Sequence, residues 1–452
     1  MNFVQLKNPA VKYSLAIAVS AIMLNSAHAA TADQKAVAQL RAEVAELKAL
    51  IKQQQQVQVQ QQHVQVQQQA EILQVKTRPA VQPVSTLAGL KSKSGADVNL
   101  YGFIRGDANY IIEGFDGDFG GVGSVGSSTG ATKDKLRATA KTTRFGLDFT
   151  APVGADNKVG GKLEVDFADT NGPNDGLRIR HAYLTYNNWL FGQTTSNFLS
   201  SHAPEMIDFS TNAGGGTQRL PQVRYNFKLA PKTQLFVAAE EGDSKASKNI
   251  ILNPPKDTVT DSTVQYSLPV LTAKITQGYA GGKGNASGRA LVEQHKVQDG
   301  NDDKTGWGLA AGTTFDVTDQ LKLNGDVSYV EGNSNYLYGA NTAYVVGANG
   351  NIEQNKFTAV QVGATYKFNE KLRSTLAYGA LFADDDTNYA KTFKDAGNIT
   401  ANKEVQQAWL NVIYSPVKPV ELGVEYVNGK REAFTGKTFK DNRVGVMAKY
   451  SF

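Results

Sequence analysis

The sequence predicts an all-β fold, a 16-stranded antiparallel transmembrane β-barrel that follows a signal peptide and an N-terminal α-helical coiled-coil segment. Three observations predict it. Polar and apolar side chains alternate from Val98 onward, short turns alternate with long polar loops, and the last alternating segment ends in the aromatic Phe452. In lipid every backbone polar group must be paired within the protein, so strands can span only as a closed barrel. An apolar-outside, polar-inside strand of about ten residues is typical of such a barrel.

Residues 1–29 have the organisation of a cleavable secretory signal. Lys7 and Lys12 supply its positive charge, residues 15–24 form its apolar run, and residues 27–29 (Ala-His-Ala) are a small-x-small cleavage site. The alternative is a membrane anchor, but an apolar run of about ten residues is short for a helical span. Cleavage removes both lysines and changes the formal charge from +5 to +3. That charge is too small to predict a nucleic-acid partner.

Residues 30–76 differ from the rest of the chain and predict a helical stalk. Apolar residues recur there at alternating spacings of three and four, which is the seam of a coiled coil. They are Val37, Leu40, Val44, Leu47 and Ile51. A glutamine tract over residues 53–69 makes the rest of the seam polar, so a solvated linker remains the alternative. Residues 77–97, with two prolines, are expected to link this stalk to the barrel over residues 98–452.

The composition fits a long, turn-rich sheet. The 452 residues include 43 glycines against 13 prolines, and the mean hydropathy is −0.35. That hydropathy does not exclude a membrane barrel, because half of the strand residues in such a barrel are polar. The chain has no cysteine, which excludes disulfides, thiolate metal ligands and cysteine nucleophiles.

Turn lengths predict which end of each strand faces which side of the membrane. Short turns are expected at 152–157, 187–188, 230–232, 269, 317–320, 369–371 and 416–419, and long loops at 113–140, 169–176, 197–218, 242–261, 281–304, 332–355, 383–403 and 428–441. Short turns on one rim and long loops on the other are typical of an outer-membrane barrel. A soluble sandwich is not expected to keep this alternation over so many strands.

The side chains at every second position of each strand, which share one face of the sheet, are apolar. Examples are Phe145, Leu147, Phe149, Leu163, Phe167, Val223, Phe227, Leu309, Leu323, Val327, Leu422 and Val424. Any one of these positions would also fit the core of a sandwich. Taken with the signal peptide and the terminal aromatic, the set favours side chains that face lipid.

The side chains on the opposite face of the strands include many charged residues, which predicts a water-filled lumen. The candidate pore-lining and substrate-binding residues are Arg105, Arg144, Lys162, Arg178, Arg180, Arg224, Lys228 and Arg443. The guanidinium group is a planar fork that suits carboxylates and phosphates, so a wall rich in arginine predicts an anion-selective pore. The alternative is that these arginines pair with wall acids such as Glu164 and Asp166 and only stiffen the barrel.

The loop over residues 197–218 is the candidate constriction. Its apolar residues and three consecutive glycines would let it bend and pack inside a lumen. His202, Glu205 and Asp208 are its candidate functional side chains. The alternative is an ordinary surface loop.

Three short motifs carry a family resemblance. Residues 177–183 (LRIRHAY), residues 190–198 (LFGQTTSNF) and the opening residues 98–102 (VNLYG) resemble general bacterial porins. Over nearly the whole chain, with the stalk included, the sequence is similar to the DcaP-like outer-membrane porins. The resemblance implies a trimeric channel of the bacterial outer membrane, with its third long loop inside the pore, that takes up dicarboxylates such as phthalate or succinate. The implied partners are these small carboxylates, further copies of the chain in a homotrimer, outer-membrane lipid and lipopolysaccharide.

The expected function is therefore a passive porin channel that needs no cofactor. A structural protein that tethers the envelope through its coiled coil, with a non-selective pore, is the alternative. An enzyme is not expected, because His181, His202 and His295 lie in no motif that pairs a nucleophile with a base. Residues 384–386 are three aspartates that could bind calcium, but a solvated acidic loop is the preferred interpretation, and no metal site is expected.

Overall fold

The computed structural model describes residues 90–92, 95–127, 130–169, 176–242, 244, 246–248, 259–260, 268–296, 302–347 and 351–452. The predicted signal peptide, the predicted stalk and most of the predicted linker lie outside these residues. The described chain is almost entirely β-strand.

Sixteen strands form the wall of the structure. The first eight are β1 (Asp97–Gly114), β2 (Thr132–Thr139 and Arg144–Val153), β3 (Asn157–Asp169), β4 (Gly176–Tyr186), β5 (Trp189–Thr195), β6 (Arg219–Ala230), β7 (Thr233–Glu240) and β8 (Val270–Tyr279). The others are β9 (Gly284–Lys296), β10 (Asp303–Asp316), β11 (Leu321–Glu331), β12 (Lys356–Asn369), β13 (Leu372–Ala383), β14 (Asn402–Tyr414), β15 (Val420–Ala433) and β16 (Thr438–Ser451). Strand β2 is in two pieces, and both pair with β1.

Each strand pairs antiparallel with the next, and the last pairs with the first. Strand β16 lies beside β1 with Met447 opposite Asp107. The terminal residue continues this ladder, because the amide nitrogen of Phe452 donates to the carbonyl oxygen of Gly102 at 3.1 Å. The sheet is therefore closed and has no free edge for lipid to meet. The predicted fold, a 16-stranded antiparallel barrel, is confirmed.

Side-chain burial follows the predicted parity. On β10 and β11 the outward Leu309 and Leu323 are 57% and 42% exposed, whereas the inward Asp326 is 8% exposed. On the last strand Val446 is 48% exposed and its neighbour Met447 is 5% exposed. On strand after strand, these outward apolar side chains are not covered by other parts of the protein. Exposing them to water would be unfavourable by about 25 cal/mol per Å² of apolar surface, so they require an apolar environment.

Two of the predicted connections are wrong. Residues 281–304, predicted as a long loop, contain the whole of β9, and residue 269 precedes β8 where a short turn was predicted. The reason lies in the outward face of β9, which consists mainly of small side chains. These include Ala286, Gly288 and Ala290, so the apolar alternation is too weak to mark a strand. Loop 428–441 is also shorter than predicted, since only residues 434–437 separate β15 from β16.

Several connections between the strands carry further regular structure, including 3-10 turns at Val122–Ser124 and Ala280–Gly282. Helix α1 (Asn388–Asp395) begins at Thr387, whose hydroxyl accepts a hydrogen bond from the amide of Ala390. Its Tyr389 and Phe393 pack against Phe434. A small second sheet joins Ala246–Lys248, Val259–Thr260, Tyr344–Val346 and Ile352–Gln354. Within the described ranges, no helix combines the length and the apolar character that crossing a bilayer would require.

Candidate pore constriction

The connection between β5 and β6 enters the barrel, and its first half is fixed to the far wall. His202 is buried, with its ring nitrogens 2.9 Å from the hydroxyl of Ser287 and 3.0 Å from that of Thr314. Its carbonyl oxygen accepts a hydrogen bond from Asn324 at 3.0 Å. Burial lowers the pKa of His202, so the imidazole is neutral at pH 7. We call residues 196–218 the constriction loop.

A carboxylate from β15 holds the middle of the constriction loop. Glu425 is buried and accepts hydrogen bonds from the amides of Ile207 and Asp208 at 2.8 and 2.9 Å. Asp208 in turn accepts from the amide of Gly120, in the long loop after β1, at 2.7 Å. Burial raises the pKa of the Asp208 carboxyl to about 6.

Glu205, the remaining predicted residue of the constriction loop, is neutralised by a cation of the wall. Glu205 forms an ion pair with Arg373 of β13 at 2.7 Å, and the same guanidinium lies 2.6 Å from Glu421 of β15. Lys449 of β16 pairs with Glu421 as well. The negative charge of Glu205 therefore belongs to a network of two carboxylates and two cations, in which β13, β15 and β16 supply the other three groups.

Across from that wall, the constriction loop leaves a cavity of about 690 Å³ against β2–β6. Phe209, Ser210 and Thr217 of the loop line one side of it. The charged side chains that line it are Arg137, Lys141, Arg144, Arg178, Arg180 and Arg219, with Asp116, Asp118 and Asp166. Six cations against three carboxylates leave a net charge of +3 on the lining.

Most of these cations have a carboxylate partner. Arg178 and Arg180 lie 2.7 and 3.0 Å from the buried Asp166, and Arg180 is also 2.7 Å from Glu164. Near the rim, Arg137 and Lys141 pair with Asp116 and Asp118, both at 2.5 Å. The wall acids thus neutralise part of the arginine set, as the alternative interpretation held.

Arg219 is different. It is the first residue of β6, its guanidinium lines the cavity, and its buried Nε has no hydrogen-bond partner among the described residues. Alternation along β6 groups it with Pro221 on the outer face, so strand parity missed it. Its place directly after the predicted constriction loop was the only available signal in the sequence.

A β-bulge places two consecutive polar residues on the lumen side of β4. The pairing with β3 shifts where Glu164 faces His181 and Val165 faces Ile179, which leaves Arg180 as the extra residue. Arg180 contacts Glu164, and the Nδ1 atom of His181 lies 2.9 Å from the hydroxyl of Thr194. A bulge of this kind redirects side chains that strict alternation would send to opposite faces.

Arg144 lies where the cavity narrows. It lines the 690 Å³ cavity and also a smaller one of about 160 Å³ on the short-turn side of the loop. Phe209 is shared by both cavities as well. The Arg144 guanidinium lies 5.0 Å from the ring centre of Phe103 and 3.5 Å from Glu164. Its buried Nε forms no hydrogen bond within the described part of the chain. A solute that passes between the two cavities meets this pair of residues.

The comparisons with known proteins place this barrel in a family. Residues 20–452 match the sequence model of the DcaP outer membrane protein family. The chain belongs to the DcaP outer membrane protein family. The crystal structure of the outer membrane channel DcaP of Acinetobacter baumannii is 66% identical, has a TM-score of 0.74, and matches 81% of this chain and 100% of that one. The protein is accordingly a β-barrel channel, a porin, of the bacterial outer membrane.

Two more distant structures share the fold. An anion-selective porin from Comamonas acidovorans is 13% identical with a TM-score of 0.50, over 79% of this chain and 100% of that one. OmpF of Salmonella typhi is 14% identical with a TM-score of 0.50, over 80% and 99% of the two chains. At these identities the likeness is one of fold alone. A comparison with curated protein sequences returned no match.

In this DcaP-family barrel, two of the predicted pore arginines tie loops in place. Arg105 lies 2.6 Å from Asp107, donates to the carbonyl oxygen of Ile207, and lies 4.4 Å from the ring centre of Phe209. Arg443 is fully buried and pairs with Asp441 at 2.8 Å. It also donates to the carbonyl oxygen of Phe115 at 2.9 Å. Both side chains are buried inside the barrel, and sequence parity could not show these partners.

The other predicted cations lie outside the large cavity. Arg224 donates to the side chain of Asn197 at 3.3 Å, and its guanidinium lies 5.7 Å from the ring centre of Phe236. Lys162 lies over the ring of Tyr101 at 4.7 Å. Lys228 is exposed near the end of β6.

The acidic run in the loop after β13 has a cationic neighbour. The carboxylates of Asp384, Asp385 and Asp386 offer oxygens within 4.8 Å of one another. Asp385 forms an ion pair with Lys403 at 2.8 Å. Because the residues are exposed or half-buried and one is already paired, the geometry fits a solvated acidic loop.

Proposed function

We propose that this channel is a passive pore that prefers small anions, dicarboxylates foremost. The observation that carries the proposal is Arg219, whose buried Nε has no hydrogen-bond partner among the described residues, in a cavity whose lining has a net charge of +3. A guanidinium that already has a carboxylate partner is partly neutralised towards a passing solute. One without a partner keeps its full attraction for an anion.

The shape of the barrel strengthens that attraction. A water-filled passage with low-dielectric walls concentrates the field of the charges that line it, and rings of charge set ion selectivity in such pores. Cations balance the acids of the constriction loop, because Glu205 pairs with Arg373 and the charge of Arg443 acts on the carboxyl of Asp208. The loop therefore opposes the field of the positive wall only weakly.

The preference for two carboxylates follows from two guanidinium groups on one cavity. Arg144 and Arg219 both line it, and the buried Nε of each forms no hydrogen bond with the described residues, although Arg144 also lies 3.5 Å from Glu164. Each fork can take a carboxylate through two parallel hydrogen bonds. A solute with two carboxylates can use both forks, whereas a monocarboxylate uses one.

Reversal potentials in planar bilayers test the proposal. Under a KCl gradient the parent channel should show the sign expected for Cl⁻ over K⁺, and Arg219→Gln should reduce the permeability ratio about two- to fivefold, because each removed charge is worth roughly a kcal/mol or less in a solvated pore. Lys283→Gln, an exposed cation in the turn after β8, is the matched control and should change nothing. Cation preference in the parent channel would refute the proposal.

The family resemblance also leads us to propose a homotrimer, embedded in lipid and in contact with lipopolysaccharide. Its outer surface, apolar around the strands, must be covered by lipid or by a second copy. The mass of the detergent-solubilised protein, measured by light scattering with the detergent subtracted, should be three times that of one chain. A monomer of full activity would contradict the trimer without affecting the anion preference.

A further inference from the structure

A second cavity, of about 490 Å³, lies at the long-loop end of the barrel. Three long loops and the constriction loop form it. Its lining is Phe115, Gly120–Ser124, Ser210, Ala213, Tyr338–Thr342, Tyr389, Phe393, Thr400–Asn402 and Val405. None of the side chains that line it is charged. We call it the neutral cavity. The 690 Å³ cavity beside it, whose lining has a net charge of +3, is called the cationic cavity below.

The two cavities adjoin. Phe115, Gly120, Ser210 and Tyr338 line both of them. A solute whose charged end lies at Arg219 can therefore extend an uncharged part across these shared residues into the neutral cavity. A short aliphatic dicarboxylate is too small to use both.

The lining of the neutral cavity combines flat apolar surfaces with small polar groups. Phe115, which is 37% exposed, and Tyr338 supply aromatic faces. Ser124 and Ser210 supply hydroxyl groups, and Ser124 is exposed at the rim. Binding sites of this size are usually apolar and aromatic with a few placed polar groups that fix orientation.

A pyranose ring matches that lining better than the other uncharged groups. Its C–H faces can lie on aromatic rings while its hydroxyl edge hydrogen-bonds to serine and backbone groups. A purely aromatic body would cover the half-buried hydroxyl of Ser210 without offering it a partner, which is unfavourable. A second carboxylate would find no cation in the neutral cavity.

We propose that the neutral cavity binds the uncharged sugar ring of an acidic saccharide whose carboxylate lies at Arg219 and Arg144 in the cationic cavity. The proposal deepens, and rests on, the anion preference proposed above. It assigns the protein a class of cargo larger than simple dicarboxylates. The bound species is a sugar acid that keeps at least one neutral pyranose ring.

Single-channel recordings with three probes test it. Lactobionate has a galactose ring joined to a gluconate carboxylate chain, gluconate has the chain alone, and lactose has the rings without the charge. Added on the long-loop side, lactobionate should interrupt the current for about five- to tenfold longer than gluconate, as one additional aromatic–ring contact of roughly 1 kcal/mol implies. Lactose should give events shorter than those of lactobionate. Equal residence times for lactobionate and gluconate would overturn the proposal.

A substitution that fills only the neutral cavity separates this inference from the anion preference. Ser124→Trp occupies the rim of that cavity at an exposed position outside the cationic lining. It should shorten lactobionate events to the gluconate value and leave both the gluconate events and the reversal potential unchanged. Gly130→Trp, in the same loop at an exposed site with no atom within 4 Å of its added Cβ, is the matched control.

The two proposals fail in different ways. If the reversal potential shows cation preference, the anion proposal fails first. If the channel is anion-selective but Ser124→Trp leaves lactobionate events as long as in the parent, or Gly130→Trp shortens them equally, the sugar-ring site is refuted alone. Tyr338→Ala gives a second variant on the shared boundary, and it should also shorten lactobionate events.

Discussion

The carboxylate of Asp208 accepts a hydrogen bond from the amide of Gly120 at 2.7 Å, which ties the constriction loop to the long loop after β1. The same carboxylate accepts a hydrogen bond from the amide of Ser210 at 2.9 Å, and the backbone amide of Asp208 donates one to Glu425. Two segments about 90 residues apart in sequence are thus fixed to each other inside the lumen. Phe209 and Ser210 follow Asp208 directly and line the 690 Å³ cavity, so this tie fixes part of the cavity wall.

The tie should weaken as pH rises. Burial raises the pKa of Asp208 from 3.8 to about 6, so proton binding favours the buried, attached loop and ionisation above pH 6 disfavours it. The positive charge of Arg443 opposes this shift in pKa, whereas the negative charge of Asp441 adds to it. Glu425, which accepts the Asp208 amide, is a third carboxyl group at this place. Open-channel current noise from loop motion should therefore increase as the pH rises from 3.8 to about 6, the interval between the two pKa values. Asp208→Asn, which cannot ionise, should remove most of that dependence, and noise that decreases with pH would contradict it.

Glu425→Ala should loosen the constriction loop at any pH. Two buried amides, those of Ile207 and Asp208, lose their acceptor, at about 1–3 kcal/mol each if no water replaces it. We expect a larger and noisier single-channel conductance. Glu113→Ala, at the end of β1 on the rim, is a matched control that should leave the conductance unchanged. A conductance equal to the parent in both variants would show that Glu425 does not hold the loop.

Charge balance on the far wall should be visible in a double-mutant cycle. Arg373→Gln leaves Glu205 and Glu421 without their shared guanidinium and should reduce the anion preference about twofold or more. Glu205→Gln should slightly increase it. If the ion pair acts as described, the double variant should fall close to the parent channel. Additive effects of the two substitutions would exclude such coupling.

Removal of a wall acid should have the opposite effect. Asp166 pairs with both Arg178 and Arg180, so Asp166→Asn removes a negative charge that these two guanidinium groups share beside the cavity. The permeability ratio for Cl⁻ over K⁺ should rise about twofold. Asp319→Asn, in the exposed turn after β10, removes the same charge away from the cavity and should have no effect. A lower ratio in Asp166→Asn would mean that this carboxylate does not neutralise the wall.

The lipid-facing assignment predicts a stability effect. Leu309 on β10 is 57% exposed and points away from the lumen, so Leu309→Arg should destabilise the folded barrel by about 2–4 kcal/mol if it lies near the bilayer midplane. Denaturant unfolding in lipid vesicles measures this free energy. Asp319→Arg in the turn after β10 is the control, expected within about 0.5 kcal/mol of the parent. Equal stability of both variants would argue against lipid at Leu309.

The sequence predicted the barrel because its signal is local. Parity along one strand is enough to assign Leu309 outward and Arg144 inward, without knowledge of any other strand. The same signal failed on β9, whose outward alanines and glycine carry little apolar character. It also failed at Arg219, where a strand begins and the constriction loop ends.

Pairing could not be predicted, because it depends on register and on distant segments. Arg105 and Arg443 share a parity with Arg144 and pair with acids two residues away, yet they also bind the carbonyl oxygens of Ile207 and Phe115, from loops far away in sequence. The β-bulge at Arg180 depends on how β3 and β4 are aligned. The neutral cavity arises only when several loops meet, so no single stretch of sequence indicates it.

The zero-current potential of the parent channel under a KCl gradient is the most direct test of the positive wall. The +3 lining, with an Arg219 whose Nε forms no hydrogen bond in the described part of the chain, predicts a sign that corresponds to Cl⁻ crossing more readily than K⁺. It also predicts a shift towards zero in Arg219→Gln. A potential of the opposite sign, unchanged by Arg219→Gln, would contradict the account.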